Sequence, residues 1–148
     1  MKPFTRPLLI GLLIGMLLLV ACNDQQQTIE REGDLAIDLD TLVDHLEAAG
    51  ATVERVGTLS QPFFTPEGQV INVNSQDVQV FEYENESDAG VEADLVSPDG
   101  SSVGTSMMSW LATPHFYTSG KLVVLYVGDH NDTIELLNGV LGPQIAGG

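Results

Sequence analysis

Cationic residues and cysteine are both scarce in this sequence. Its 148 residues include five lysines and arginines against 21 aspartates and glutamates, and a single cysteine, Cys22. One cysteine cannot form an internal disulfide, so no disulfide framework holds the fold together. Nucleic-acid binding depends on lysine and arginine contacts to phosphate, so the sequence predicts no nucleic-acid partner. The chain is long enough to bury an ordinary apolar core without disulfide cross-links.

Long hydrophobic runs are also missing, because no apolar segment reaches the roughly 20 residues that a transmembrane helix needs. The run at residues 8–21 has fourteen apolar or glycine residues and follows the cations Lys2 and Arg6. A short basic region before an apolar run of this kind is typical of a secretory signal peptide. We therefore expect residues 1–21 to direct export and then to be removed.

The apolar run ends in Leu19, Val20, Ala21 and Cys22. These four residues resemble a bacterial lipobox, in which small residues precede a cysteine that is acylated on sulfur and becomes the mature N-terminus. The resemblance implies processing before Cys22 by signal peptidase II and lipid attachment at that residue. A diacylglyceryl group with a further N-acyl chain exceeds the two-chain requirement for stable anchoring. The expected location is the cell membrane or the outer membrane, facing the periplasm or the exterior, and an uncleaved signal anchor is the alternative.

A polar, glutamine-rich segment at residues 22–36 has no apolar periodicity, as expected of a flexible tether. Without the signal peptide the chain keeps the cations Arg31, Arg55 and Lys121 against all 21 carboxylates, a formal net charge of −18. Such a surface repels anionic lipid headgroups, so the domain should stand away from the membrane. The charge serves either solubility and adaptation to the surroundings or the attraction of cations and basic partners.

The remainder, residues 37–146, is predicted to form a single α+β domain. It opens with apolar residues at spacings of three and four over residues 38–50, the pattern of an amphipathic helix. Asp38 or Asp40 supplies the N-cap of this helix, and Gly50 supplies its stop. A first helix is therefore expected at the beginning of the domain.

A hairpin is predicted next, with turn residues at 74–77 between two alternating segments. The apolar phase changes within its second strand, since Val78 and Val80 point to one face while Phe81 and Tyr83 point to the other. This change indicates either a β-bulge near Val80 or a strand that is covered on both faces.

The same order of elements then recurs. A weak helix at 85–100 is followed by two predicted strands, 105–112 and 121–128, which are joined through a loop at 113–120, and by a helix at 129–143. Two strands followed by a helix thus occur twice, which suggests an internal ββα repeat. We expect a mostly antiparallel sheet of four or five strands with about three helices on one face.

One strand should lie at the centre of this sheet, because Leu122–Val127 is continuously apolar. The body also resembles uncharacterised bacterial envelope lipoproteins through the segments "AAGATVE", "QPFF", "SPDGSS" and "HFYTSGKLVVLYVG". That resemblance spans about residues 40 to 146 and implies no activity.

Aromatic residues in the predicted loops and beside the second hairpin form the candidate partner or ligand surface. Packing in the core or at the sheet edge is the default for such rings, and a groove for an envelope protein or a small ligand is the alternative. The candidate residues are Phe63, Phe64, Trp110, His115, Phe116 and Tyr117.

An acidic cluster at the start of the last predicted helix offers hard oxygen ligands for a metal ion. The spacing is not that of an EF-hand loop, and acidic or amide residues at a helix start also cap its free amides, with Asp129 or Asn131 as the predicted N-cap. The weak metal candidates are Asp129, Asn131, Asp132 and Glu135, with His130 as a nitrogen donor.

No catalytic arrangement is evident in the sequence. The segment "TSGKL" ends like a Walker A motif, but His115 replaces the required first glycine and Leu122 the required Ser or Thr. No serine has the flanking glycines of a nucleophile elbow. We therefore expect a membrane-tethered binding or interaction module without enzymatic activity or cofactor; the alternative is an acidic surface domain that binds divalent cations.

Overall fold

The structure is a computed structural model and describes residues 35–148. The predicted signal peptide, Cys22 and most of the predicted tether lie outside the described residues. Just before the predicted start of the domain at residue 37, Ala36 is fully buried and its amide donates to the carbonyl of Val140 at 2.9 Å. Within the described range, no helix has both the length and the apolar character needed to cross a bilayer.

An antiparallel sheet of six strands and three helices make up most of the described part of the chain. The sheet order is β1-β2-β3-β7-β6-β8, and β4 pairs with β5 in a separate small hairpin. The predicted α+β class with a mostly antiparallel sheet is confirmed, with six strands in place of four or five. The elements are α1 (Leu39–Ala48), β1 (Val53–Leu59), β2 (Gly68–Val73), β3 (Gln76–Glu82), α2 (Glu86–Ala93), β4 (Ser102–Val103), β5 (Ser106–Met107), β6 (Pro114–Ser119), β7 (Leu122–Val127), α3 (Asn131–Leu141) and β8 (Ala146–Gly147).

Helix α1 begins at a capping box. The Asp38 carboxylate accepts from the backbone N–H of Thr41 at 2.9 Å, and the Thr41 hydroxyl oxygen accepts from the backbone N–H of Asp38 at 3.1 Å. Of the two predicted caps, the structure uses Asp38. The backbone hydrogen bond from Thr41, and then the bond from its hydroxyl, lower the pKa of Asp38.

Removing this cap is expected to destabilise the domain. A lowered folded-state pKa means that Asp38 contributes stability above the ordinary aspartate pKa, which is lost as the pH falls through the folded-state value. Asp38→Ala should therefore lower the free energy of unfolding by about 1 kcal/mol near neutral pH, and less in acid. Denaturant unfolding of the native chain and of Asp38→Ala, each near neutral pH and in acid, measures this difference in the free energy of unfolding. Asp38→Asn, which keeps a capping oxygen without a charge, should retain most of the stability; equal loss in both variants would contradict the capping account.

The helices cover both faces of the sheet, so the predicted placement on one face is wrong. Leucines of α1 and α3 pack on one face in a first core cluster, while Ala89 and Ala93 of α2 pack on the other face in a second cluster. The reason is the central strand β7, whose apolar side chains point alternately to the two sides. Leu122, Val124 and Tyr126 join the first cluster, and Val123 and Leu125 join the second.

Strand β3 is also buried on both sides. Val78 and Val80 belong to the first cluster and Phe81 to the second, and the register with β2 and β7 runs without a shift. Of the two explanations for the change of apolar phase, coverage of both faces is therefore correct. The turn before β3 is made by Asn74 and Ser75, which both have positive φ, as a two-residue hairpin turn of type I′ requires.

The second hairpin differs from its prediction. Strand β7 pairs with β6 from residue 114 onwards, whereas the predicted strand at 105–112 contributes only Ser106–Met107 to the small hairpin. The β6–β7 turn consists of Gly120 and Lys121, and Gly120 has a φ of +52°. A Cβ at Gly120 would stand 2.4 Å from the backbone of Ile37, so both the turn and the packed N-terminal segment require glycine here.

Candidate functional site

Most of the six aromatic-surface candidates lie inside the core. Phe64, His115, Phe116 and Tyr117 are buried, with exposed fractions of 5% or less. Their common surface role is therefore corrected: Phe116 joins the second core cluster and Tyr117 the first, on opposite sides of the sheet. Alternation along β6 causes this separation, because neighbouring residues of a strand point to opposite faces.

The two remaining candidates are partly buried against the second cluster. Phe63 stacks edge-on against Phe64, with ring centroids 5.0 Å apart, and Trp110 lies 5.9 Å from Phe116. The Trp110 indole donates a 2.7 Å hydrogen bond to the carbonyl of Gly100. These rings pack against the second core cluster, which favours packing, the default expectation for them, over a ligand groove.

His115 has a structural environment. Its Nε2 donates to the carbonyl of Gly128 at 3.0 Å, its Nδ1 lies 2.8 Å from the Gln144 side-chain oxygen, and its ring stacks on Tyr126. The Gln144 amide nitrogen in turn donates to the carbonyl of Gly147. His115 thus ties the C-terminal strand β8 to the body of the sheet.

The serine-rich turn "SPDGSS" is a closed local network. The Asp99 carboxylate accepts from the Ser97 hydroxyl at 2.7 Å and from the Ser101 amide and hydroxyl at 3.0 and 2.8 Å. These bonds, led by the Ser101 amide, lower the pKa of Asp99 to about 2. Both nitrogens of His115 contact other groups, so the structure forms no Ser-His-Asp arrangement from these residues.

The metal candidates do not converge on a common point. Across residues 35–148, no three or more histidine, cysteine, aspartate and glutamate side chains are placed to hold a metal ion together. The predicted caps of α3 are also wrong, because its N-cap is His130, which makes no side-chain capping bond. The Tyr126 hydroxyl accepts from the His130 amide at 3.3 Å instead.

One concavity follows the groove between α1 and α3. It has a volume of about 600 Å³ and is lined by His45, Asp132, Glu135 and several small or apolar residues. Neither of the other two histidines lines it, nor does any of the aromatic candidates.

A second concavity, of about 420 Å³, lies between the loop before β2, the end of β3 and α2. We call it the acidic cleft, because four of its eight lining residues are carboxylates. This volume is in the range of small-ligand sites. The lining residues are Thr65, Pro66, Glu82, Tyr83, Glu84, Asp88, Val91 and Glu92.

Local packing explains how the acidic cleft forms. Phe64 is buried against Phe81, with ring centroids 4.7 Å apart, and so fixes the loop that carries Thr65 and Pro66. The Thr65 hydroxyl then donates to the Glu92 carboxylate of α2 at 2.7 Å. Ala89 and Ala93 bury the opposite side of α2, which leaves its acidic side chains at the rim.

Tyr83, directly after β3, is one of the residues that line the cleft. It is 8% exposed, and its hydroxyl has no hydrogen-bond partner among the described residues. Burial raises the pKa of this hydroxyl, and the negative charge of Glu92 raises it further. Sequence reasoning missed this site; the one signal in the sequence is that Glu82 and Glu84 flank Tyr83, and Glu92 joins them only through packing.

The chain matches no family model, no curated protein and no solved structure. A function must therefore be argued from the N-terminal sequence signals and from the acidic cleft.

Proposed function

We propose that this chain is a membrane-tethered envelope lipoprotein whose α+β domain binds a partner protein or a small ligand. The proposal of a lipid anchor at Cys22 is supported by the basic residues, the short apolar run and the lipobox-like residues before that cysteine. The polar segment after Cys22 would act as the tether. Anchoring would place the domain in the periplasm or at the exterior, on the cell membrane or the outer membrane.

The observation that carries the binding role is the acidic cleft. Its lining combines four carboxylates with the less polar side chains of Tyr83, Pro66 and Val91. Among residues 35–148, Glu82 is the one cleft carboxylate with a cationic partner, since Lys121 donates to it at 2.9 Å. A partner of positive charge would therefore compensate carboxylates that otherwise repel one another.

Divalent-cation binding through the surface carboxylates is the second candidate function. The high density of acidic residues favours it. The absence of any converging metal-ligand group in residues 35–148 favours an organic cation instead. We therefore rank a basic partner or ligand above a metal ion.

A pull-down of the full-length chain from detergent-solubilised membranes tests the binding role. The expected result is a retained partner that is released as the ionic strength rises, because salt screens surface charge. The double variant Glu84→Gln and Glu92→Gln should retain less partner. A matched variant outside the cleft, Glu47→Gln with Glu135→Gln, should retain as much as the native chain. No retained partner, together with no stabilisation in a thermal screen of cationic small molecules, would rule out the binding module.

A further inference from the structure

Residues 100–113 form an uncharged loop in a strongly acidic chain. This segment contains no aspartate, glutamate, lysine, arginine or histidine, whereas the whole chain has 21 acidic residues. It carries the small hairpin of β4 and β5 and ends where β6 begins. We call it the neutral loop. Taking charged groups out of water costs much free energy, so an uncharged segment is the part of such a domain that can enter an apolar environment.

The large apolar side chains of the neutral loop point into solvent. Met107 is 87% exposed, and Leu111 is fully exposed. Leu95, which is also exposed, adjoins the loop, because its carbonyl accepts from the Gly104 amide at 2.8 Å. Exposed apolar side chains that come together in one region mark contact sites for proteins or membranes.

The backbone of the neutral loop is held in place around these side chains. Strands β4 and β5 pair antiparallel, and Met107 belongs to β5. Next to Leu111, the Trp110 indole donates to the Gly100 carbonyl at 2.7 Å and packs on Phe116, with ring centroids 5.9 Å apart. The loop therefore presents its apolar side chains from a fixed backbone.

The predicted tether is long enough to bring the neutral loop to the membrane surface. The N-terminal segment of the described chain passes the β6–β7 turn, where the Ile37 carbonyl accepts from the Lys121 amide at 2.8 Å. The neutral loop lies at the opposite end of β6, a strand of six residues and therefore about 20 Å long. Residues 22–34 can span up to about 45 Å when fully extended. A lipid at Cys22 could thus lie in the bilayer while the loop touches its surface.

A bilayer suits the neutral loop better than a second copy of this chain. Each copy would carry a formal net charge of −18 after removal of the signal peptide, so two copies would repel each other. Tryptophan is enriched at membrane interfaces, and the loop contains Trp110. The carboxylate next to the loop, Asp99, accepts three hydrogen bonds from Ser97 and Ser101 within its own turn. The tether would keep the loop at a high local concentration near the membrane, so that a weak contact suffices.

We propose that the neutral loop is a membrane-docking surface, whose Met107 and Leu111 side chains insert into the bilayer that carries the lipid anchor. This inference rests on the proposed anchor at Cys22. The fitting surface is one with neutral headgroups, because the carboxylates elsewhere on the domain are repelled by anionic lipids.

Quenching of tryptophan fluorescence by brominated lipids tests the docking. Trp110 is the only tryptophan of the chain and lies between Met107 and Leu111 in the sequence. The native product is extracted from membranes and reconstituted into phosphatidylcholine vesicles with or without bromine on the acyl chains. Bromine quenches tryptophan only at close range, so weaker fluorescence is expected in the brominated vesicles. Flotation of the vesicles in a density gradient measures separately whether the chain is anchored.

The double variant Met107→Ser and Leu111→Ser should lower the ratio of docked to undocked chain at least about tenfold, because it removes the apolar surface that enters the lipid. The matched control, Ile37→Ser with Val56→Ser, removes two exposed apolar side chains outside the neutral loop and should be quenched like the native chain. All four side chains are exposed, so both double variants should fold. Both should also float with the vesicles.

Equal fluorescence in plain and brominated vesicles, for a chain that floats, would overturn the inference and leave the lipid anchor intact. Equal quenching of the native chain and the double variant in the loop would also overturn it. A blue shift of Trp110 without quenching would show that protein, such as a second copy, covers the loop instead. A chain that neither floats nor is quenched would reject the anchor and the docking surface together.

Discussion

Cys22→Ser is expected to abolish fatty-acid incorporation completely and to leave residues 1–21 attached to the chain. The resemblance of Leu19–Cys22 to a lipobox implies that the cysteine sulfur carries the diacylglyceryl group and that processing occurs before this residue. Serine has no thiol, so neither step can proceed. Metabolic labelling with a radioactive fatty acid, followed by gel electrophoresis, measures both the label and the size of the product.

A neighbouring substitution provides the control for this experiment. Gln25→Ser introduces the same residue three positions later, in the predicted tether, and should incorporate label and be processed as the native chain is. Label that persists in Cys22→Ser would place the acyl group on another residue. That outcome would remove the basis for a cysteine-linked anchor.

Phe116→Ala is expected to lower the free energy of unfolding by about 3–5 kcal/mol, the range typical of truncating a buried phenylalanine. Phe116 has no exposed surface and contacts Trp110 and Phe64 in the second core cluster. Its removal would leave a cavity between the sheet and the aromatic loops. Chemical denaturation monitored by tryptophan fluorescence and by circular dichroism measures the change.

Leu111→Ala is the control for an apolar truncation at the surface, because Leu111 is fully exposed. It should change the free energy of unfolding by less than about 0.5 kcal/mol. If Phe116→Ala were as mild as this control, Phe116 would have to be a surface residue. That result would favour the alternative in which Phe116 belongs to a partner or ligand surface.

The amino-acid sequence predicts those parts of the fold that depend on local patterns. Helix α1 and its cap at Asp38, the β2–β3 hairpin and the central strand Leu122–Val127 follow from spacing, capping and turn residues. The sequence favours 105–112 as the partner strand because this segment is apolar at Met107, Met108, Trp110 and Leu111, whereas 114–119 begins with a proline. The positive φ of Gly120 decides between them, since it makes the tight turn next to 114–119.

The acidic cleft was not predictable in the same way, because its residues come from three separate segments. Thr65 lies in a loop, Tyr83 follows a strand and Glu92 lies in a helix, so only tertiary packing brings them together. The missing hydrogen-bond partner of Tyr83 is likewise a property of the packed structure. The predicted signal peptide and lipobox can, by contrast, be proposed from the sequence alone, because a signal peptide is recognised as a linear sequence.

The acidity of the chain bears on both its proposed tethering and its proposed binding role. A formal net charge of −18 after removal of the signal peptide would hold the domain away from anionic headgroups, while the cleft concentrates carboxylates around one buried tyrosine. A tethered domain of this charge would meet cationic partners at a short distance from the membrane surface.

The most direct measurement of the central claim is the intact mass of the native product extracted from membranes. A lipid-anchored product should begin at Cys22 and carry a diacylglyceryl group and an N-acyl chain. An unmodified thiol with residues 1–21 still attached, or a product recovered only from the cytosol, would contradict it.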